Sequence, residues 1–161
     1  MSLGSQQDNA SFHEAVQNAY HAGIVQIAAA GNYGLEGGAI SYPAIYSETI
    51  AVSSIDSLGN WDPYSSYGEQ IDLIAPGVDV RSTYKDGLYA RISGTSMAAP
   101  HVTGTVALIL STLPNNQFDV NHNGIWDPSE ILMKLKLTSQ NLGLPVQQQG
   151  AGLVRADEAI R

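Results

Sequence analysis

A chain of 161 residues has the length of one domain and can bury roughly two thirds of its unfolded surface. Its 15 acidic residues outnumber 7 Lys and Arg, and a net charge of −8 repels phosphate backbones, so we expect no nucleic-acid partner. The sequence contains no apolar run of about 18 residues, so no membrane span is predicted. The absence of cysteine excludes disulfides, a thiol nucleophile and zinc–thiolate sites.

The first predicted element is an amphipathic helix over Asn9–Gly23. Ser11 and Glu14 match a capping box at its start, and Gly23 is a typical stop. Apolar side chains at helical spacing predict one packed face. That face consists of Phe12, Ala15, Val16, Ala19 and Tyr20.

Three short apolar runs follow: Ile24–Ala30, Thr49–Ile55 and Ile71–Gly77. Each is typical of a strand that is buried on both faces of a parallel sheet. A long apolar helix is predicted from about Ser96 to Leu113. This order predicts an α/β fold of three layers, in which a mostly parallel sheet is flanked by helices.

Ser96 begins that helix, within the stretch RISGTSMAAPHVTG (residues 91–104). A serine in the first turn of a helix is usually a cap. Here Gly94 permits a tight turn, and Thr95 can take over the capping role, which leaves Ser96 at the positive end of the helix. Pro100 has no N–H for the Ser96 carbonyl. A proline inside a predicted helix, one turn after a candidate nucleophile, favours a functional site.

Asn32 directly follows Gly31, at the end of the first predicted strand. Parallel sheets place ligand sites at this end of their strands. The Asn32 amide is able to donate to an oxyanion, as a serine nucleophile requires. A simple Asn turn after the glycine explains the same residues equally well.

Together, SGTSMAAPHVTG and AAAGN closely resemble the serine and oxyanion-hole segments of the subtilisin-like serine proteases, the subtilases of peptidase family S8. MSLG, SYPAIYSETIAVSSID, APGVDVRST and GAGLVRADEA are similar to further segments of that family. The resemblance implies a secreted, extracellular serine endopeptidase acting on a peptide or protein substrate. It makes Ser96 the nucleophile and Asn32 the oxyanion donor.

The resemblance also implies where the substrate binds. Two segments would act as strand edges that pair with an extended peptide. A buried serine would lie near the floor of the pocket for the residue that precedes the cleaved bond. The residues concerned are Ser2, Leu3 and Gly4 in the first segment, Ala29, Ala30 and Gly31 in the second, and Ser41 in the pocket.

The acid and the base of the family are missing. In subtilases they lie ahead of the serine, in Asp-Thr-Gly-like and His-Gly-Thr-like segments, and neither segment occurs here. His101 is expected to be a packed structural residue, and His13 and His21 to be solvated or partly packed. We therefore interpret residues 1–161 as the C-terminal half of a catalytic domain, inactive alone, whose partner is the missing N-terminal half. Dimerisation through the uncovered surface is the alternative.

A calcium loop is predicted within an insertion at about residues 115–130. DVNHNGIWDPSE (Asp119–Glu130) matches D-x-[DN]-x-[DN]-G-x5-E at every specified position. Its glycine makes the sharp turn, and its final glutamate closes the site with two oxygens. The predicted Ca2+ ligands are Asp119, Asn121, Asn123, Ile125 through its carbonyl, Asp127 and Glu130.

Two other functions compete with proteolysis by a longer protein. One is a non-catalytic calcium-binding module that keeps a degenerate subtilase fold. The other, an α/β-hydrolase elbow, needs its Asp and His after the serine. The histidines that follow Ser96 are His101 in the serine motif and His122 in the calcium loop, so we set the elbow aside.

Overall fold

The computed structural model describes all 161 residues and contains a three-stranded parallel sheet. Its strands are β1 (Ile27–Ala29), β2 (Ile50–Ile55) and β3 (Leu73–Pro76), in that order across the sheet. Each strand lies inside one of the predicted apolar runs and is shorter than that run. All strand residues except Pro76 are buried, which explains why the runs show no polar alternation.

The helices are α1 (Ala10–His21), α2 (Thr95–Leu110), α3 (Pro128–Thr138), α4 (Val146–Gln149) and α5 (Ala156–Ala159). Helix α2 packs across all three strands, and α5 contacts both α2 and α3. The predicted α/β class, a parallel sheet with flanking helices, is confirmed. None of these helices is long and apolar enough to cross a lipid bilayer.

The main core lies between the sheet and α2. Residues of one sheet face pack against the buried face of this helix, and Phe118 and Trp126 from the predicted calcium-loop insertion belong to the same cluster. A smaller cluster lies on the opposite sheet face, because successive strand residues point to opposite sides. The main cluster includes Ile27, Ala29, Ile50, Val52, Leu73 and Ala75 of the sheet and Ala98, Ala99, Val102, Val106 and Ile109 of α2.

The start of α1 differs from the prediction. Asn9 is the N-cap, and its Oδ1 accepts the N–H of Phe12 at 2.9 Å, so the capping box at Ser11 and Glu14 was wrong by two residues. The predicted end is confirmed, since the helix stops at His21 and Gly23 has a φ of 81°. Val16 alone is buried on α1, so the predicted packed face was too wide.

Two features after β3 were not foreseen. Strands β4 (Val80–Thr83) and β5 (Tyr89–Ile92) form an antiparallel hairpin whose side chains are mostly exposed. Exposure removes the apolar signal by which the other strands were found. Helix α2 also ends three residues earlier than predicted, because the hydroxyls of Ser111 and Thr112 donate to carbonyls of its last turn.

Candidate active site

Ser96 is the second residue of α2 and is half-buried. The residue before the helix, Gly94, has a φ of 142°, which side chains rarely permit. A Cβ there would also lie 3.0 Å from Nδ2 of Asn32. A glycine is thus required where the chain turns into α2, and it brings the Asn32 amide to the start of the helix that carries Ser96.

Thr95 does not cap the helix, contrary to the prediction. It is buried, and its hydroxyl accepts the N–H of Gly31 at 3.1 Å and donates to Oδ1 of Asn32 at 3.0 Å. The N-cap is Gly94, which has no side chain to bond. Thr95 therefore joins the loop after β1 to the start of α2, a role that local sequence does not signal.

The Asn32 side chain is oriented by these contacts. Its Oδ1 accepts both the backbone N–H and the hydroxyl of Thr95, each at 3.0 Å. Its Nδ2 makes no hydrogen bond within the chain and Asn32 is exposed, so the amide protons are free to donate. The simple turn interpretation is insufficient, because the side chain bonds across 63 residues rather than to its own loop.

Pro100 has the predicted consequence for the carbonyl of Ser96. This carbonyl has no N–H donor four residues along the helix, and it accepts the hydroxyl of Ser2 at 2.8 Å instead. The first segment of the chain is thereby held against the turn that carries Ser96.

The two predicted substrate edges differ in their free backbone groups. Ser2, Leu3 and Gly4 make no backbone hydrogen bond, so this segment has open donors and acceptors. In the segment Ala29–Gly31, by contrast, all three N–H groups donate hydrogen bonds within the chain. The acceptors are the carbonyls of Met1 and Val52 and the hydroxyl of Thr95. Two of its carbonyls, on Ala30 and Gly31, also accept N–H groups of this chain. The fold itself therefore uses most of these groups, and strand pairing of a substrate at Ala29–Gly31 stays a prediction.

Ser41 lies between the two glycines of these segments and is 2% exposed. Cβ atoms placed on Gly4 and Gly31 would come within 2.8 Å of its Cβ and 2.5 Å of its Oγ, respectively. Its hydroxyl accepts Nε2 of Gln6 at 2.9 Å. The serine is thus buried beside both segments, and whether it forms the floor of a substrate pocket stays a prediction.

No histidine ring forms a hydrogen bond with Ser96. His101 is exposed on α2 and bonds through Nδ1 to the Met97 carbonyl at 2.9 Å, so the expectation of a packed histidine was wrong. Its ring lines the same open cavity as Ser96, which residues of β4 line as well. His13 lies on α1, where it pairs with Glu48 at 3.2 Å.

The His13 pair is a surface cluster of its own. Burial of the Glu48 carboxyl raises its pKa, but hydrogen bonds from Gln17 and His13 outweigh this effect and hold the pKa below its usual value. The His13 ring stacks on Tyr46 with 3.8 Å between centroids. His13 is thus partly packed, as predicted, and it is engaged away from Ser96.

In the predicted calcium loop, carboxylate side chains accept hydrogen bonds from N–H groups of the same loop. The carboxylate of Asp119 accepts the N–H of Asn123 and of Gly124, both at 3.0 Å. Asp127 Oδ2 accepts the side-chain amides of Asn121 and Asn123 at 2.7 and 3.0 Å. As placed, the structure groups no three His, Asp or Glu side chains around a common metal position.

The end of this loop is also the start of α3. Asp127 and Glu130 form a capping box, with Pro128 in the first turn. The D-P-S-E signature of this cap is present in the sequence, where it coincides with the last four residues of the predicted calcium loop. Ile125 donates its N–H to Asn123 Oδ1 at 2.9 Å.

Comparison with known proteins defines the family. The model of the subtilase family matches residues 1–152. Subtilisin Savinase of Lederbergia lenta is 40% identical over all 161 residues, which cover 55% of that protein. Subtilisin DY of Bacillus licheniformis is 41% identical and 56% covered, and the alkaline protease of Shouchella clausii is 40% identical and 39% covered. The chain thus spans about half or less of the length of these relatives. It belongs to the subtilase family of serine endopeptidases.

Proposed function

We propose that this chain contributes the nucleophile and the oxyanion donor of a secreted, extracellular serine endopeptidase. The observation that carries the proposal is the Asn32 amide, whose Oδ1 is held by Thr95, the residue before Ser96, and whose Nδ2 has no partner within the chain. In this function Ser96 Oγ attacks the carbonyl carbon of the cleaved bond, and Asn32 Nδ2 donates to the oxygen as it gains negative charge. The positive end of α2 adds to this stabilisation.

The open segment Ser2–Gly4 would bind the substrate. Its unpaired backbone groups suit an extended peptide that adds as a further strand. The hydrogen bond from Ser2 to the Ser96 carbonyl fixes the distance between this edge and the nucleophile. We propose Ser41 as the floor of the pocket for the residue before the cleaved bond, with the backbone of Ala29, Ala30 and Gly31 as a wall.

The proton of Ser96 must be accepted by a base from outside this chain. No side chain of the chain hydrogen-bonds to its Oγ, and a helix N-terminus does not accept protons. We therefore propose that residues 1–161 form one part of a catalytic domain, which an N-terminal part supplying the Asp and the His completes. The exposed face of α2 around His101 is the surface that such a part would cover.

A fluorophosphonate probe, which labels activated serines, tests this division of the site. We expect the 161-residue chain alone to remain unlabelled, and Ser96 to be labelled in a longer protein that supplies the acid and the base. The Ser96→Ala variant of the longer protein controls for labelling elsewhere. Rapid stoichiometric labelling of Ser96 in the isolated chain would contradict the proposal and would point to His13, His21 or a second, dimerised copy as the base.

We also propose that the loop Asp119–Glu130 binds Ca2+. Asp119 and Glu130 are 9% and 3% exposed, and neither takes part in an ion pair. Buried carboxylates without a cation are costly, and a predicted ligand set made only of oxygens suits calcium. Asp119, Asn121, Asn123, Asp127 and Glu130 would supply side-chain oxygens and Ile125 its carbonyl. The competing function, a calcium module without catalysis, shares this site.

Calcium is expected to raise the melting temperature of the chain. At a free concentration of 100 times Kd the gain is about 2.7 kcal/mol, or roughly 5–10 °C for a chain of this size. Differential scanning calorimetry with calcium and with chelator measures the difference. Glu130→Gln should abolish it, while Glu14→Gln, the same change on the exposed side of α1, should leave it intact. Equal midpoints with and without calcium would overturn the assignment.

A further inference from the structure

The backbone of Asn32, the proposed oxyanion donor, is not held by hydrogen bonds of its own. Its N–H and its carbonyl have no partner within the chain. Its side chain is held at a single atom, because both hydrogen bonds from Thr95 end on Oδ1. An amide that is held at one atom is able to pivot about that atom, so a second fixed point is needed to orient Nδ2. This point must come from the residues on either side of Asn32.

Ser66 bonds to both neighbours of Asn32. Its N–H donates to the carbonyl of Gly31 at 2.8 Å, and its Oγ accepts the N–H of Tyr33 at 3.2 Å. A Cβ on Gly31 would come within 2.9 Å of the same Oγ, so this close approach requires a glycine. The peptide group before Asn32 and the peptide group after it are therefore tied to one residue.

Ser66 is itself fixed by buried hydrogen bonds. Its hydroxyl donates to the carbonyl of Ala39 at 2.7 Å. The neighbouring Ser65 donates its hydroxyl to the Ser66 carbonyl and accepts the N–H of Ser54, both at 3.1 Å, and the two serines are each 0% exposed. Ser54 belongs to β2, the central strand of the parallel sheet. Two buried serines thus connect the loop that carries Asn32 to the middle of the sheet.

The Ser66 hydroxyl has an effect that is separable from that of the Ser66 backbone. Replacing it by hydrogen would leave the N–H of Tyr33 and the carbonyl of Ala39 without these partners. The bond to the Gly31 carbonyl would remain, because it uses a backbone N–H. Ser66→Ala therefore releases the peptide group after Asn32 and leaves the peptide group before it in place.

We propose that Ser66 is a positioning residue, which directs the Asn32 amide at the carbonyl oxygen of the cleaved bond by fixing the peptide groups on either side of Asn32. The use of this alignment in peptide hydrolysis rests on the proposed proteolytic function. The order of the Asn32 side chain does not, so the two are tested separately.

The first experiment measures the order of the Asn32 side chain in the 161-residue chain. In Ser66→Ala the NMR order parameter of the Nδ2 amide group should fall by about a third, which is roughly the difference between a rigid and a flexible group. Ser53→Ala is the matched control, because Ser53 is equally buried and its hydroxyl donates to the Gln148 carbonyl instead of the Asn32 loop. An order parameter that falls equally in both variants, or in neither, would overturn the proposal.

The second experiment uses a longer, hydrolytically active protein. Ser66→Ala should lower kcat about tenfold with little change in KM, a smaller loss than removal of the amide causes, because the donor is misdirected and not removed. In the Asn32→Ala background the same change should lower kcat by less than about twofold, since no amide is left to direct. An equal loss of kcat in both backgrounds would overturn the proposal.

A second variant, Ser66→Cys, covers the case in which Ser66→Ala does not fold. The thiol keeps a weaker hydrogen-bonding atom at the same position, so the order parameter and kcat should lie between those of the wild type and Ser66→Ala. A folded Ser66→Cys variant with the wild-type order parameter and kcat would overturn the proposal. A lowered order parameter together with no hydrolysis by the longer protein would support the positioning of Asn32 and reject the proteolytic function.

Discussion

Ser96→Ala is expected to lower kcat for peptide hydrolysis by about 10⁶-fold in a protein that supplies the acid and the base. The size is the one measured for loss of the serine in this same family, where the triad acts as a unit. The alanine removes the attacking oxygen only. The carbonyl of residue 96 still accepts the hydroxyl of Ser2, so the fold around α2 is preserved.

Steady-state kinetics with a peptide substrate, together with an unfolding curve, measure the effect of Ser96→Ala. Ser111→Ala is a suitable control, because it removes an exposed hydroxyl at the other end of α2. A Ser96→Ala variant that keeps a substantial fraction of its kcat, with an unchanged fold, would remove Ser96 from the chemistry.

Asn32→Ala is expected to lower kcat by roughly 100- to 1,000-fold with little change in KM. This size is the one found for removal of an oxyanion donor in this same family. We expect kcat to fall and KM to stay nearly constant because Nδ2 donates to the oxygen mainly when negative charge develops, which happens after the substrate is bound. Kinetics over a range of substrate concentrations separate the two constants.

The Asn32 variant has a structural consequence that needs its own control. Loss of Oδ1 leaves the N–H of Thr95 without its acceptor, which is expected to cost about 1–3 kcal/mol of folding free energy. Asn18→Ala, the same change at an exposed position of α1, controls for general effects of the substitution. If kcat were unchanged in Asn32→Ala, Asn32 would not be an oxyanion donor.

Much of the fold could be predicted because buried strands leave a local signature. The runs that became β1, β2 and β3 are mostly apolar and show no alternation of polar and apolar residues, since both sheet faces are covered. The hairpin of β4 and β5 has no such signature, because its side chains are mostly exposed. Caps were the least predictable detail, since Asn9, Ser11 and Glu14 offered two competing starts for α1.

The candidate site was predictable residue by residue but not contact by contact. Ser96 and Asn32 stand in recognisable motifs, whereas the bonds that join them run through Thr95 across more than 60 positions of sequence. No periodicity or spacing encodes such a bond.

The segment that carries the predicted calcium loop is part of the main core. Phe118 and Trp126 pack in the same cluster as the sheet and α2, and the Trp126 indole donates to the Thr112 carbonyl at 3.0 Å. Deleting this segment would therefore remove two aromatic side chains from the core. For the same reason, we expect the segment to tolerate changes of length less well than a surface loop does. Because Phe118 and Trp126 join the loop to this core, an ion bound in the loop would also stabilise the packing against α2, the helix that carries Ser96.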